Sequence, residues 1–213
     1  PEKDIYPDFH AINYEKDLPL FSQVDLPDSN KFQPDIYNFD IYTRVRDRFF
    51  NPSSIVSQKK NFLKDKYNLD FEKTISVLYR GTDKSTELKL AHPEDYLYIT
   101  KNILKDNPDF KVLLQTDQTQ VIQFFANELG DKLVFFEETP STTSNSVIWN
   151  LMERNGADSI DWSQWFDAAL RCVSECKYLV NHTGNVAFFA NLYRGSLERV
   201  YQFDESGILS CIQ

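Results

Sequence analysis

From Asp70 onward, short and largely apolar runs alternate with amphipathic helical segments, and no other feature of the chain narrows the choice of fold as much. TISVLY (74–79), FKVLLQ (110–115), KLVFFE (132–137) and KYLVN (177–181) are rich in β-branched and aromatic residues and read as strands. The segment 93–107 reads as a helix. Pro93 stands at a first-turn position, Glu94 and Asp95 suit the positive N-terminus, and Pro108 follows the end. Apolar residues at Val121, Ile122, Phe124, Phe125 and Leu129 mark a helix over 118–129, with Gly130 at the capping position; 185–194 followed by Gly195 repeats that pattern. Apolar strands separated by helices imply a parallel sheet covered on both faces, so the expected fold is a Rossmann-like doubly wound α/β domain.

Before this region, IYTRVRDRFF and SIVSQKKNFLKDKY carry apolar residues at three-to-four spacing and read as two helices separated by Asn51-Pro52-Ser53. Residues 1–39 are rich in Pro, Asp and Asn without a sustained period. They read as an irregular arm or the remnant of an upstream domain, with the main domain over 40–213. The first residue is proline rather than methionine, which leaves room for a leading domain or anchor.

At 213 residues and 41% hydrophobic, the chain can bury a core for one domain or one and a half. The formal net charge of -9 disfavours nucleic acid as a partner, since gripping a phosphate backbone needs clustered Lys and Arg. No stretch reaches the roughly 18 apolar residues that a membrane span requires, and PEKDIYPDFH is not a signal peptide. The three cysteines, Cys172, Cys176 and Cys211, are too few for a disulfide framework. Cys172 and Cys176, four apart on a predicted helix, read as buried thiols rather than zinc ligands.

In an open parallel sheet, ligands bind beyond the carboxyl ends of the strands. Polar residues gather there: Arg80-Gly81-Thr82-Asp83-Lys84-Ser85-Thr86-Glu87 after the first strand, Thr116-Asp117-Gln118 after the second, and His182-Thr183-Gly184-Asn185 after the fourth. An arginine beside a glycine suits phosphate, because the guanidinium fork pairs with phosphate oxygens and Gly81 lets the backbone approach. Thr183, Gly184 and Asn185 open a helix, whose N–H groups and dipole favour an anion. Asp117 would accept from the adjacent ring and exocyclic N–H donors of guanine, although it would serve equally as the N-cap of the next helix. An Arg80–Asp83 ion pair would likewise account for that loop structurally. Neither a Walker loop nor a G-x-G-x-x-G fingerprint follows any strand, which disfavours P-loop NTPases and NAD enzymes. TPSTTSNS (139–146) reads as a mobile loop near the site.

LYRGTDKSTE (78–87) resembles the H-x-R-R-x-D-K motif, followed by T-E, of the α1,6- and related fucosyltransferases. The similarity continues through HPEDYL (92–97), LLQTDQ (113–118) and ECKYLVNHTGN (175–185), and covers residues 45–202 or so. The resemblance implies the donor-binding domain of a GT-B glycosyltransferase. By position it assigns the β-phosphate of GDP to Arg80, the motif Asp and Lys to Asp83 and Lys84, the general base to Glu87 and guanine to Asp117. Gly81, Thr82 and the run Thr183 to Asn185 would lie about the donor. It implies inverting, metal-independent transfer without a cofactor, from GDP-fucose or another GDP-sugar such as GDP-mannose to a glycan or other hydroxyl acceptor. Arg80, Lys84 and Glu87 would then be the catalytic residues. The sequence departs from the motif at Leu78, where the family has histidine, and at Gly81, where it has a second arginine. The turn before Thr86 is also one residue shorter. The departures at Leu78 and Gly81 favour a second reading, a non-catalytic nucleotide-sugar or carbohydrate-binding module, which the retained Arg80, Asp83, Lys84, Glu87 and Asp117 oppose.

Overall fold

The computed structural model describes residues 39–82, 84, 89–143 and 159–212. Six strands form one sheet in the order β3-β2-β1-β4-β5-β6. They are β1 (Thr74–Tyr79), β2 (Lys111–Thr116), β3 (Leu133–Phe135), β4 (Tyr178–His182), β5 (Val200–Phe203) and β6 (Leu209–Ile212). Strands β1 to β5 run parallel, and β6 pairs antiparallel with β5. In the centre, Val77 stands level with Leu114 of β2 on one side and Val180 of β4 on the other. The order reverses between β1 and β4, and that switch point is where an open α/β sheet leaves its ligand crevice.

Among the described residues the helices are α1 (Phe39–Phe49), α2 (Ser54–Lys66), α3 (Pro93–Asp106), α4 (Thr119–Leu129), α5 (Ser159–Glu175) and α6 (Asn185–Arg194). Their ends follow from local chemistry. Ser53 accepts from the Val56 N–H to start α2, and Asp95 accepts from the His92 N–H at 2.9 Å to close a capping box on α3. Gly195, at φ 70°, ends α6 in the left-handed region that glycine enters without strain.

Alternation along β1 splits the core into two layers. Ile75 and Val77 face Tyr96, Ile99 and Ile103 of α3 with Val121 and Phe125 of α4. Leu78 faces the other layer, with Val56 and Leu63 of α2, Ala168, Cys172 and Val173 of α5, and Ala187 and Ala190 of α6. Helices therefore cover both faces, as a doubly wound sheet requires. Ser76, fully buried in β1, donates to the carbonyl of Val173 at 2.9 Å or that of Tyr178 at 3.0 Å, which satisfies its hydroxyl beside α5. Burial raises the Cys172 thiol to about 12 and pushes that of Cys176 up as well, so both are inert core groups at neutral pH.

The sequence reading of β1 agrees with its observed bounds, and those of β2 and β4 lie one residue away. It expected β3 to run to 137, but the strand ends at Phe135, because the Glu137 N–H donates to the Tyr67 hydroxyl at 3.0 Å and draws the chain toward α2. The hairpin β5–β6 was not foreseen. VYQF is only four residues long, and its turn is built by Asp204, whose carboxylate accepts from the N–H groups of Ser206 and Ile208. A connection this short permits only an antiparallel partner.

Two contacts fix α6, the helix that begins at the crevice. At its C-terminus, Arg46 of α1 donates to the carbonyls of Leu192 and Tyr193, where a cation meets the negative end of the dipole. Along its length, the Tyr193 hydroxyl donates to Asp167 at 2.8 Å. Asp167 also pairs with Arg171, and Arg171 donates to the Phe50 carbonyl at 2.7 Å. This partly buried pair ties α5 and α6 to the end of α1.

Candidate functional site

At the carboxyl edge of the sheet, β1 leads into Arg80, β2 into Asp117, and β4 into Thr183 and Gly184. Asp117 is the hub. Its side chain is buried, with Oδ1 accepting from the Gly81 N–H at 2.9 Å and Oδ2 from the Thr82 hydroxyl at 2.7 Å. The Nε of Arg80 lies 3.4 Å from the same Oδ2. One carboxylate thus holds three successive residues of the β1 loop and orients the guanidinium. It is not the N-cap of α4: that position belongs to Gln118, which makes no side-chain cap bond. A carboxylate has about four lone-pair sites, so these contacts leave acceptor capacity toward the crevice.

Gly81 makes the approach possible. A Cβ built on it would come 2.4 Å from Gln118 Oε1 and 2.7 Å from Tyr79 Cε1, distances that carbon contacts never reach. A side chain at this position, such as the arginine of the family motif, would require the Gln118 carboxamide and the Tyr79 ring to shift.

Two cavities flank Arg80 and share Leu78 as a floor. The larger, of about 220 Å³, is walled by Gln115, Asp117, Thr139, Pro140, Trp162 and Phe166. The last two rings, one turn apart on α5, lie nearly parallel with centroids 5.4 Å apart. This is an apolar slot with polar groups at one end, suited to a flat aromatic ligand. The smaller cavity, of about 100 Å³, is the more polar of the two: Arg80, Lys84, His182 and the first turn of α6 from Gly184 to Ala187 line it beside Leu78 and Leu90.

The Lys84 side chain is buried and runs across Gly184, whose added Cβ would meet Lys84 Cε at 2.9 Å and Nζ at 3.4 Å. Lysine, arginine and the positive end of a helix dipole converge here, an arrangement that favours an anion. Thr183 does not supply the backbone donor expected of it, because its N–H is spent on the Phe203 carbonyl of β5 at 2.9 Å. That partner belongs to the strand the sequence reading missed. His182 is pushed below its ordinary range, chiefly by burial, with Lys84 adding to the effect and nearby carbonyls and Asp204 opposing it.

The structure brings Arg80, Gly81, Thr82, Lys84, Asp117, Thr183, Gly184 and Asn185 to one edge. Asp83 and Glu87 lie outside the described residues, as does the second half of the loop 139–146. Its first half is anchored: Thr142 donates to the Asp117 carbonyl at 2.9 Å and accepts from the Thr119 N–H at 3.0 Å. Trp162 and Phe166 were not singled out from the sequence. WSQWF shows three aromatics, Trp162, Trp165 and Phe166, at helical spacing, which is as much a core signal as a site signal.

The fold is fucosyltransferase-like. No protein-family model matches the chain, and no curated protein matches it either. Among solved structures, it is similar to the NodZ α-1,6-fucosyltransferase co-crystallised with GDP, at 14% identity and a TM-score of 0.51, over 82% of this chain and 52% of that one. The same enzyme soaked with GDP-fucose gives 13% identity and a TM-score of 0.52, over 83% and 53%. Fucosyltransferase NodZ from Bradyrhizobium gives 14% and 0.50, over 82% and 52%. The chain spans about half the length of these structures, and at such identity the likeness is one of fold.

Proposed function

We propose that this chain is the donor-binding part of a glycosyltransferase of the fucosyltransferase type, which holds a GDP-sugar across Arg80. The observation that carries this reading is the convergence of Arg80, Lys84 and the N-terminus of α6 on one polar cavity, beside an aromatic-walled one, at the sheet's switch point. The likeness of fold to an enzyme crystallised with GDP and GDP-fucose supports it.

In this reading the diphosphate lies in the polar cavity and guanine enters the slot beside Trp162, where Asp117 accepts from its N–H edge. Arg80 and Lys84 stabilise charge on the departing phosphate, in place of a metal. Glu87 removes the proton of the acceptor hydroxyl as it attacks the anomeric carbon with inversion, and Glu87→Gln lowers transfer by roughly 10²-fold, the usual scale for a lost general base. Glycan acceptors belong to the proposal, as does fucose over mannose. Gly81 favours the second reading, a binding module without catalysis, because one cation of the motif is missing and its place is taken by the Gln118 carboxamide.

Calorimetric titration with GDP, GDP-fucose, GDP-mannose, UDP and ADP, in EDTA and then in magnesium, tests the reading. Metal-independent binding confined to guanine nucleotides is expected, and equal affinity for ADP or UDP would refute it. Turnover of a bound GDP-sugar with an acceptor separates the enzyme from the binding module.

A further inference from the structure

We infer that His182 is a positioning residue which takes up a proton when the donor's phosphates bind, and in doing so ties the β4–α6 turn to the backbone at Lys89. The inference rests on the donor-binding reading above and deepens it. Its ground is an asymmetry of hydrogen bonding. Nδ1 of His182 lies 3.2 Å from the Thr183 carbonyl oxygen, and Nε2 lies 3.3 Å from the Lys89 carbonyl oxygen. Both oxygens can only accept. A neutral imidazole has one N–H, so it satisfies one carbonyl and turns a lone pair toward the other; the imidazolium donates to both.

The surroundings decide which form is present. His182 is buried between Phe203 of β5 and the polar cavity, which it lines together with Arg80 and Lys84. Burial above all, with Lys84 adding to it, disfavours the imidazolium, while the carbonyls of Thr183 and Lys89 and, among the described residues, the Asp204 carboxylate beyond β5 favour it; the net direction is downward. With its proton affinity lowered, the ring favours the neutral form at neutral pH before an anion binds. A diphosphate placed among Arg80, Lys84 and α6 offsets the cations beside the ring and shifts the balance toward the form that grips both carbonyls.

Lys89 is the first described residue after the segment 85–88, and it is held from the far side as well. Its N–H donates to the Glu205 carbonyl at 3.3 Å, and Gly207 approaches so closely that a Cβ added to it would stand 3.2 Å from the Lys89 oxygen. The proton on His182 thus completes a clamp on the chain that returns from the β1 loop. By linkage, anything that fixes this clamp also tightens donor binding by the same factor.

The test is a pH titration of the His182 imidazole by NMR, in the free chain and with saturating GDP, with the resonance identified by its loss in His182→Gln. GDP is expected to raise the proton affinity of this ring at least tenfold, which corresponds to about one pKa unit. Calorimetry in two buffers of different ionisation enthalpy is the companion measurement. Proton uptake on GDP binding should be larger for the wild type than for His182→Gln, a difference that cancels the titration of GDP's own terminal phosphate near about pH 6. GDP binding with an unchanged His182 titration would overturn this inference alone. A folded wild-type chain that binds no GDP would overturn the donor reading and this inference with it.

Discussion

Lys84 lies across Gly184, with its Cε and Nζ 2.9 Å and 3.4 Å from the point where a Cβ on that glycine would stand. The relationship joins the loop after β1 to the first turn of α6 across the switch point of the sheet. Glycine is required there by the backbone, since Gly184 has φ 143° and ψ 169°, a region that residues with side chains scarcely enter.

Gly184→Ala should therefore lose about 1–3 kcal/mol of stability from backbone strain. It should also weaken GDP binding by displacing the ammonium from the helix N-terminus. Urea denaturation and nucleotide titration on the same preparation separate the two effects. A variant with unchanged stability and unchanged affinity would show that the close approach has no consequence.

Gly81→Ala should fail through Gln118 and Tyr79 together. Its Cβ meets the Gln118 carboxamide at 2.4 Å and the Tyr79 ring at 2.7 Å. Replacing Gln118 by glycine in the same chain should recover part of the lost stability, with a coupling energy of about 0.5–3 kcal/mol, as expected of residues in contact. Strict additivity in the double-mutant cycle would exclude the contact as the cause.

Trp162→Ala should weaken GDP binding by about 1–3 kcal/mol, the scale of a lost base–aromatic contact. Pyrophosphate should bind the variant as it binds the wild type, because the polar cavity does not include Trp162. Equal losses for both ligands would mean that the helix had shifted rather than that a base had lost its wall.

Much of this arrangement is written locally. The strand TISVLY, the helix opened by Pro93, and the polar residues that follow β1, β2 and β4 can be read along the chain, because periodicity and capping are local signals. What escaped lies in very short elements and in contacts distant in sequence. The hairpin β5–β6 exists because Asp204 folds a short turn back on β5, and that strand then removes the Thr183 N–H from the set of anion donors. Asp117 offered two readings, a guanine acceptor or an N-cap. Its contacts with Gly81, Thr82 and Arg80, some 35 residues away, give it a role in holding the loop that neither reading contained. Trp162 and Phe166 were equally illegible, since a pair of aromatics on one helix face looks the same whether it lines a core or a cavity.

The most direct measurement is the affinity of Arg80→Ala for GDP beside that of the wild type, with circular dichroism to confirm that both are folded. Arg80 borders both cavities, so its removal takes a charged fork from the phosphate site. Because a hydrogen bond to a charged group contributes about 1.5–3 kcal/mol, a fork making two of them should account for a loss of roughly 10²-fold or more. Metal-independent binding by the wild type with that loss in the variant is the expected result. A folded Arg80→Ala chain that binds GDP as tightly as the wild type would contradict the account.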